Sequence, residues 1–289
     1  MLRRQRIILS LLGTADGPVP ATRIQKYLFL LREESCLCRD STFYEFVPYK
    51  FGPFSFAAQR EIETLTAYGY VESVGSSLRI TGLGKGEVRG LDCDVEHAVS
   101  ATTSKHSRKP LRTLLREVYA RYPWYATNSE LQELVPAGAA KPTAAPHAVY
   151  TMGYENRSVD GFLNRLLCEG IRRIVDIRAN PVSRKYGFAR SALAGLAGKL
   201  GIDYSHFPAL GISSSKRKEA RTYSDFATLF AYYEQQLLPV RTAEIEDVAE
   251  LMHGTPSVLL CMERKPEDCH RSRLAARIAS ETRLAEVHL

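Results

Sequence analysis

Short apolar runs alternate with amphipathic helical segments through the second half of the chain, and this alternation limits the fold more than any other feature. Strands are predicted at 149–152, 174–177, 203–207, 258–261 and 285–289, and helices at 159–169, 191–200, 223–238, 242–253 and from 270 onward. Strands that alternate with helices are typical of a parallel sheet covered on both faces. The sequence therefore predicts an α/β fold with a mostly parallel, Rossmann-like sheet and helices on both faces.

The first half is predicted to be mainly helical. Apolar residues recur at helical spacing in three segments, and a Gly-Ser-Ser turn at 75–77 then joins two alternating runs into a hairpin. Three helices followed by a hairpin is the winged-helix order, a variant of the helix-turn-helix that binds DNA. Small residues and prolines at 139–147 predict a linker. We therefore expect a winged-helix-like domain that binds nucleic acid or a partner at 1–138, and an α/β domain at 148–289.

Composition narrows the class of protein. A length of 289 residues suits two domains, and the net charge of +7 favours a polyanionic partner. We therefore expect a nucleic acid as the partner, DNA ahead of RNA. The six cysteines are too few for a disulfide scaffold, and no apolar run is long enough to span a membrane. The sequence predicts a cytoplasmic protein that binds no membrane, and it leaves the oligomeric state open, a homodimer included.

One stretch carries most of the reactive side chains. Cys261 and Glu263 follow the predicted strand at 258–261, whereas Cys269 and His270 stand where a helix is predicted to begin. Ligands of open α/β sheets bind outside the carboxyl ends of the strands. A helix start that carries histidine and arginine also attracts anions. This stretch therefore predicts a ligand site.

Polar residues follow the other predicted strands as well. Because the carboxyl ends of parallel strands share one rim, we expect these residues to converge on one pocket. Candidate catalytic residues are Asp176, Glu263, His206, His270 and Cys269. Candidate substrate or phosphate contacts are Gly153, Tyr154, Asn156, Arg157, Arg178, Ser183, Arg184, Cys261 and Arg271. The combination predicts a carboxylate that acts as base or nucleophile, with arginines that hold a phosphate.

Several of these candidates also have a structural interpretation. Asp176 and Arg178 can pair with neighbours and hold the rim together, and Cys261 can be a small buried hydrophobe. Cys269, at a helix start beside histidine and arginine, is expected to have a lowered pKa and to be reactive. The seven residues between the two cysteines are not a usual zinc spacing, so neither a metal nor a cofactor is expected.

Four stretches resemble motifs of DUF488, a prokaryotic family named as a domain of unknown function. They are Cys-x-Glu-x5-Cys-His-Arg at 261–271, Met-Gly-Tyr-Glu-Asn-Arg-Ser at 152–158, Val-Asp-Ile-Arg-Ala-Asn-Pro-Val-Ser-Arg at 175–184 and Tyr-Ser-His-Phe-Pro-Ala-Leu-Gly at 204–211. Tyr154 stands where the family usually has histidine, and Ile212 replaces a second glycine. The resemblance covers roughly residues 148–289 and implies no settled activity.

A second resemblance concerns the first half. Lys26-Tyr27 and the Tyr-Lys-Phe-Gly-Pro run at 49–53 resemble the most recognisable motif of the Panacea/SocA-like antitoxin-associated group. This resemblance implies a fold for the first domain more than it implies a role.

The first functional hypothesis is a nucleic-acid-acting enzyme in DNA repair or genome defence. It would act as an N-glycosylase or hydrolase on a base, sugar or phosphate of DNA. The alternative is a non-enzymatic DNA-binding regulator whose α/β domain senses a nucleotide or small anion. A third hypothesis is a thiol or metal enzyme centred on Cys261 and Cys269. The acids distinguish the first two, because a phosphate sensor has little use for Asp176 and Glu263 in the same pocket.

Overall fold

The computed structural model describes residues 1–219 and 222–289, and the chain divides into two compact units, Met1–Lys141 and Pro142–Leu289. Within the described residues, none of the helices combines the length and the apolar character that crossing a bilayer requires.

The N-terminal unit is mainly helical. Its helices are α1 (Arg3–Gly13), α2 (Ala21–Glu34), α3 (Phe56–Ala67), α4 (Gly82–Gly86), α5 (Cys93–His106) and α6 (Leu111–Arg121), with short 3-10 turns at Cys36–Arg39, Pro123–Ala126 and Gln132–Leu134. Its strands are β1 (Val19–Pro20), β2 (Val47–Tyr49), β3 (Gly52–Phe54), β4 (Val71–Val74) and β5 (Ser77–Ile80). Strands β1, β5 and β4 form one antiparallel sheet, and β2 pairs with β3.

The three predicted helices and the predicted hairpin correspond to α1, α2, α3 and the β4–β5 pair. Helix α1 buries Ile7, Ile8, Leu11 and Leu12, as its apolar spacing predicts. Helix α3 begins at a cap, because the side chain of Ser55 accepts a hydrogen bond from the backbone of Ala58. The winged-helix role and the resemblance to the antitoxin-associated group stay predictions.

A buried lysine of the N-terminal unit donates a hydrogen bond to the β2–β3 strand pair. Lys26 on α2 is 1% exposed, and its Nζ donates to the carbonyl of Pro53 at 2.7 Å. Pro48 lies opposite Pro53 in the β2–β3 pair and has no N–H to offer to that carbonyl. Burial lowers the pKa of Lys26 from 10.5 to about 7, because the low-dielectric interior disfavours the charged form.

This lysine predicts a pH dependence of the stability of the N-terminal unit. The folded state binds fewer protons than the unfolded state between about pH 7 and the ordinary lysine pKa of 10.5, so the free energy of unfolding rises with pH in that window. We expect the difference between the wild type and Lys26→Met to grow by about 2 kcal/mol from about pH 7.5 to about pH 9.5. Urea unfolding, followed by the fluorescence of Trp124, the single tryptophan, measures the free energy of unfolding of both proteins at each pH. Parallel pH curves for the two proteins would contradict the account.

The C-terminal unit is an α/β unit built on one parallel sheet. Its strands are β6 (Val149–Gly153), β7 (Arg173–Asp176), β8 (Asp203–His206), β9 (Ser257–Cys261) and β10 (Glu286–His288). Its helices are α7 (Val159–Cys168), α8 (Arg190–Gly198), α9 (Ser214–Glu219), α10 (Tyr223–Tyr232), α11 (Thr242–Gly254) and α12 (His270–Thr282), with a 3-10 turn at Pro208–Leu210. The strand order is β10-β6-β9-β7-β8, and every pair is parallel. The predicted α/β class and parallel sheet are confirmed.

Helices cover both faces of this sheet. Val149, Val175 and Leu259 point to the face where α11 and α12 pack, in one core cluster with the apolar residues of those helices. The alternate strand residues point the other way and are also buried, as are Phe162 of α7 and Leu193 of α8. Strands buried on both faces require continuous apolar runs, which explains why the strand sequences do not alternate.

Two helical details differ from the sequence prediction. The helix predicted at 223–238 is regular only to Tyr232, and a π turn (Tyr233–Leu237) and a 3-10 turn (Leu238–Val240) follow it. Pro239 has no N–H for a continuing helical hydrogen bond, which accounts for the tighter turn. Helix α9 was not predicted, because its polar, basic residues show no apolar periodicity.

Candidate functional site

The carboxyl ends of four neighbouring strands form one rim of the sheet. The register sets Gly153 beside Cys261, at the ends of β6 and β9. It also sets Asp176 beside His206, at the ends of β7 and β8. Residues far apart in the chain thus meet at this rim, which is where parallel sheets bind ligands.

A buried thiol–imidazole cluster lies at the rim. The Nδ1 of His270 is 3.8 Å from the Sγ of Cys261 and 3.9 Å from the Sγ of Cys269. The three residues are 2%, 0% and 1% exposed, respectively. The imidazole packs edge-on against Tyr233, whose ring centroid is 5.2 Å away. Two sulfurs and one nitrogen in this arrangement are a donor set able to hold a metal ion.

The two thiols of the cluster have opposite pKa shifts. Burial raises the pKa of Cys261, but a hydrogen bond from Cys269, the charge of Arg217, the Met262 backbone N–H and the charge of Arg271 together lower it to about 7. Burial and the neighbouring Cys261 raise the pKa of Cys269 well above its ordinary value. The expectation of a lowered pKa at Cys269 is therefore wrong. The helix start is not its dominant environment, because Cys269 is itself buried and donates toward the more acidic thiol.

Two features fix the backbone of Glu263 above this cluster. The buried guanidinium of Arg271 donates from Nη1 to the carbonyl of Glu263 and from Nη2 to the carbonyl of Arg264, the latter at 3.0 Å. Gly153 makes the close approach feasible, because a Cβ there would collide with the carbonyl of Glu263. Arg271 and Gly153 thus position the loop, whereas the sequence predicted that they contact substrate.

The side chain of Glu263 contacts the thiol–imidazole cluster and is partly exposed to solvent. Its Oε1 accepts from Arg217, and the thiol of Cys261 donates to its Oε2 at 3.3 Å. The carboxylate side chain is 17% exposed. Among the described residues, these contacts use two of the roughly four lone-pair sites that a carboxylate offers.

Glu263 lines a pocket of about 830 Å³. The pocket walls carry four basic residues, four acidic residues and two phenylalanine rings. The described lining is Glu155, Asn156, Arg217, Thr222, Phe226, Ala227, Phe230, Glu263, Arg264, Lys265, Glu267, Asp268 and Arg273. The guanidinium of Arg273 lies over the ring of Phe230, 5.6 Å from its centroid. A volume of this size suits a small organic ligand, and the basic residues are the ones that would bind its anionic groups.

Asp176 is the centre of a separate, closed hydrogen-bond network. Its carboxylate accepts from Arg178 at Nε (2.8 Å), at Nη2 (2.5 Å) and at the backbone N–H (3.1 Å), and from the hydroxyl of Tyr204 (2.5 Å). Arg178 also donates to the carbonyl of Phe188, and its own carbonyl is 2.9 Å from His206 Nε2. Asp176 is fully buried and Arg178 is 5% exposed. The network leaves Asp176 no free acceptor position for a substrate proton.

The remaining candidates lie around this network and the pocket. Tyr154 is buried and stacks on Phe188, with 4.4 Å between ring centroids. Asn156 lines the pocket in a left-handed backbone conformation, with φ of 59°. Arg157 is partly buried at the same turn, where its N–H donates to the carbonyl of Tyr154. Neither Ser183 nor Arg184 is among the residues that line the pocket, and Ser183 accepts from the backbone of Lys185.

Sequence reasoning missed several residues that the structure brings to the site. They are Tyr204, Phe226, Phe230, Arg264, Lys265 and Arg273. Tyr204 belongs to the Tyr-Ser-His motif and was quoted only as part of it. The basic run at 213–218 predicts basic surface beside the rim, and the structure brings Arg217 of this run to Glu263. Phe226 and Phe230 are four residues apart on α10 and therefore share a helix face, which a core-facing stripe also shows.

Comparison with protein families identifies part of this unit. Residues 158–278 match the family described as Domain of unknown function DUF488. The match includes Asp176, His206, Glu263 and the cluster cysteines. The predicted DUF488 resemblance is confirmed over these residues. No curated protein and no solved structure matches the chain.

Proposed function

We propose that the unit carrying the DUF488 domain of residues 158–278 is a hydrolase that acts on a nucleotide unit of nucleic acid, DNA first, with Glu263 as the general base. One observation carries the proposal: Glu263 is a partly buried carboxylate at the carboxyl rim of the sheet, and it lines a pocket that also carries basic and aromatic side chains. A carboxylate held in this way has the reach that proton abstraction from water requires.

The pocket lining offers contacts for both parts of a nucleotide. Arg264, Lys265 and Arg273 are basic residues that can bind a phosphate, whereas Arg217 pairs with Glu263. Phenylalanine rings provide a surface on which a base stacks, as in proteins that bind single-stranded nucleic acid. A target inside a duplex would have to be flipped out of the stack to reach such a pocket. The net charge of +7 supports a polyanionic substrate.

The proposed step is water addition assisted by Glu263. The carboxylate takes a proton from water while the water oxygen forms a bond to the attacked atom, and the bond to the leaving group breaks. For an N-glycosidic bond, oxygen bonds to C1′, the C1′–N bond breaks, and the base leaves with the proton that Glu263 returns. Arg217 holds Oε1, which fixes the carboxylate for this transfer.

Asp176 acts as a positioning residue in this proposal. Its carboxylate is occupied by Arg178 and Tyr204, so it orders the ends of β7 and β8 instead of taking a proton. His206 has the same kind of role, because its Nε2 faces the carbonyl of Arg178. Of the two predicted acids, only Glu263 faces the pocket.

The closed network of Asp176 also favours one alternative. A DNA-binding regulator that senses a nucleotide needs the cations of the pocket but no free carboxylate. Such a protein would bind nucleotide-containing ligands through Arg217 and Arg273 without converting them. The two functions differ in whether a product forms.

Product analysis tests the proposal. The purified chain is incubated with plain and chemically modified DNA, single-stranded and duplex, and mass spectrometry searches for released base, released nucleotide, deaminated base or nicked strand. We expect one of these products with the wild type and none with Glu263→Gln. Salt-dependent DNA binding by both proteins, without product from either, would establish the regulator instead.

A further inference from the structure

We propose that Cys261, Cys269 and His270 bind one transition-metal ion of the zinc class. This inference does not depend on the proposed hydrolysis, because the positions of the three ligand atoms are independent of the reaction. The three ligand atoms lie within 4.8 Å of one another, with Nδ1 of His270 facing both sulfurs. The seven-residue cysteine spacing argued against a metal, but spacing rules describe local loops, whereas here a strand end and a helix start meet in space.

The distances fit a tetrahedral site. Zinc bonds to thiolate sulfur are about 2.3 Å and bonds to imidazole nitrogen are about 2.0–2.1 Å, which sets sulfur–nitrogen edges of about 3.6 Å in a tetrahedron. The observed edges from His270 are 3.8 and 3.9 Å. These two edges exceed the tetrahedral value by a few tenths of an ångström, and the two sulfurs lie within 4.8 Å of each other. Two sulfurs with one imidazole select zinc and related metals over magnesium or calcium.

A metal ion would also resolve the hydrogen bonding of the cluster. One ring nitrogen faces two buried thiols and can make only one good hydrogen bond. A metal ion bound by both sulfurs and Nδ1 would satisfy these three buried atoms at once. Nε2 of the same imidazole, which has no hydrogen-bond partner among the described residues, would still have none after the metal binds. The edge-on contact with Tyr233 holds the ring in the orientation that this requires.

The fourth position of the ion would face Glu263. Three protein ligands with one open position are typical of catalytic zinc, whereas structural zinc has four protein ligands. The Oε2 of Glu263 lies 3.3 Å from the Sγ of Cys261, beside the cluster and outside it. Two cysteines, one histidine and a non-ligand glutamate are also the groups by which nucleobase deaminases activate water. This assignment of the fourth position rests on the proposed function; the three ligands do not.

Metal analysis of the full-length chain tests the three ligands. Wild type, Cys269→Ser and the exposed-cysteine control Cys168→Ser are stripped with chelator, incubated with Zn²⁺ or Co²⁺ and freed of excess metal. We expect about one equivalent per chain in wild type and control, and at least a tenfold loss in Cys269→Ser. Bound Co²⁺ should show thiolate charge-transfer bands and the strong visible bands of a tetrahedral site.

If Cys269→Ser does not fold, the metal content of the wild type alone tests the site. A folded wild type that binds less than about a tenth of an equivalent of either metal overturns the inference. The variant Glu263→Gln separates this inference from the proposed function, because it should keep the metal and lose the product. Product without metal would refute the site and leave the hydrolase, whereas metal without product would refute the hydrolase and leave the site.

Discussion

Glu263→Gln is expected to lower kcat on the identified DNA substrate by about 10²- to 10⁴-fold, while KM changes little. Glutamine has the shape of glutamate and still offers an oxygen to Arg217, but it cannot take a proton from water. The loss should therefore fall on the chemical step, because the basic residues and rings proposed to bind the substrate are unchanged. Steady-state rates at several substrate concentrations separate kcat from KM.

The matched control for this substitution is Glu281→Gln. Glu281 belongs to the same unit but pairs with Arg277 on the surface of α12, away from the pocket lining. It should keep the rate of the wild type. A Glu263→Gln variant with undiminished kcat would show that another group takes the proton, and the role of Glu263 would then be structural.

Asp176→Asn is expected to destabilise the C-terminal unit by about 3–5 kcal/mol. The substitution keeps the volume of the side chain but removes the charge that the buried guanidinium of Arg178 requires. An amide also replaces one of the two oxygens that accept from Arg178 and Tyr204 with a donor. Hydrogen exchange of β7 and β8 peptides, measured in increasing urea, reports on this unit separately from the rest of the chain.

An ion pair with an exposed carboxylate on the same strands provides the comparison. Arg173 and Asp203 join the opposite ends of β7 and β8, with 2.9 Å between Nη2 and Oδ2, and the side chain of Asp203 is 66% exposed. Asp203→Asn should cost less than about 1 kcal/mol, because exposed carboxylates contribute little to such pairs. Equal losses for Asp176→Asn and Asp203→Asn would contradict the importance assigned to the buried network.

The sheet could be predicted from sequence because its strands are buried on both faces. The runs predicted at 149–152 and 258–261 differ from β6 and β9 by one residue, since only continuous apolar segments suit a covered parallel sheet. The same logic placed Asp176, His206 and Glu263 near one rim. The local apolar pattern and the strand direction are sufficient to predict which residues lie at this edge of the sheet.

The different roles of the rim residues could not be predicted from the apolar pattern and the strand direction. Asp176 and Glu263 both follow strands, yet only the pairing of β7 with β8 sets Tyr204 against Asp176 and closes its network. Similarly, the orientation of Arg217 toward Glu263 depends on how α9 lies against the rim. Such contacts depend on tertiary packing, which the local periodicity of a single sequence does not reveal.

The pKa of Cys269 shows the same limit. A helix start beside histidine and arginine lowers a thiol pKa when the thiol faces solvent and those charges. In the fold, Cys269 is 1% exposed and faces Cys261, so burial and the neighbouring sulfur dominate. The sequence identified both cysteines as notable but assigned the lowered pKa to Cys269, whereas the fold lowers the pKa of Cys261.

Hydrolysis in water enriched in ¹⁸O tests the central claim most directly. The wild-type chain and Glu263→Gln are incubated with the DNA that gives a product, and mass spectrometry measures the label in that product against a preformed unlabelled standard kept in the same water. The account predicts one ¹⁸O atom for each bond broken by the wild type, beyond the exchange of the standard, and at least about 10²-fold less product from Glu263→Gln. A product without label, or DNA that is bound and left unchanged by the wild type, would contradict it.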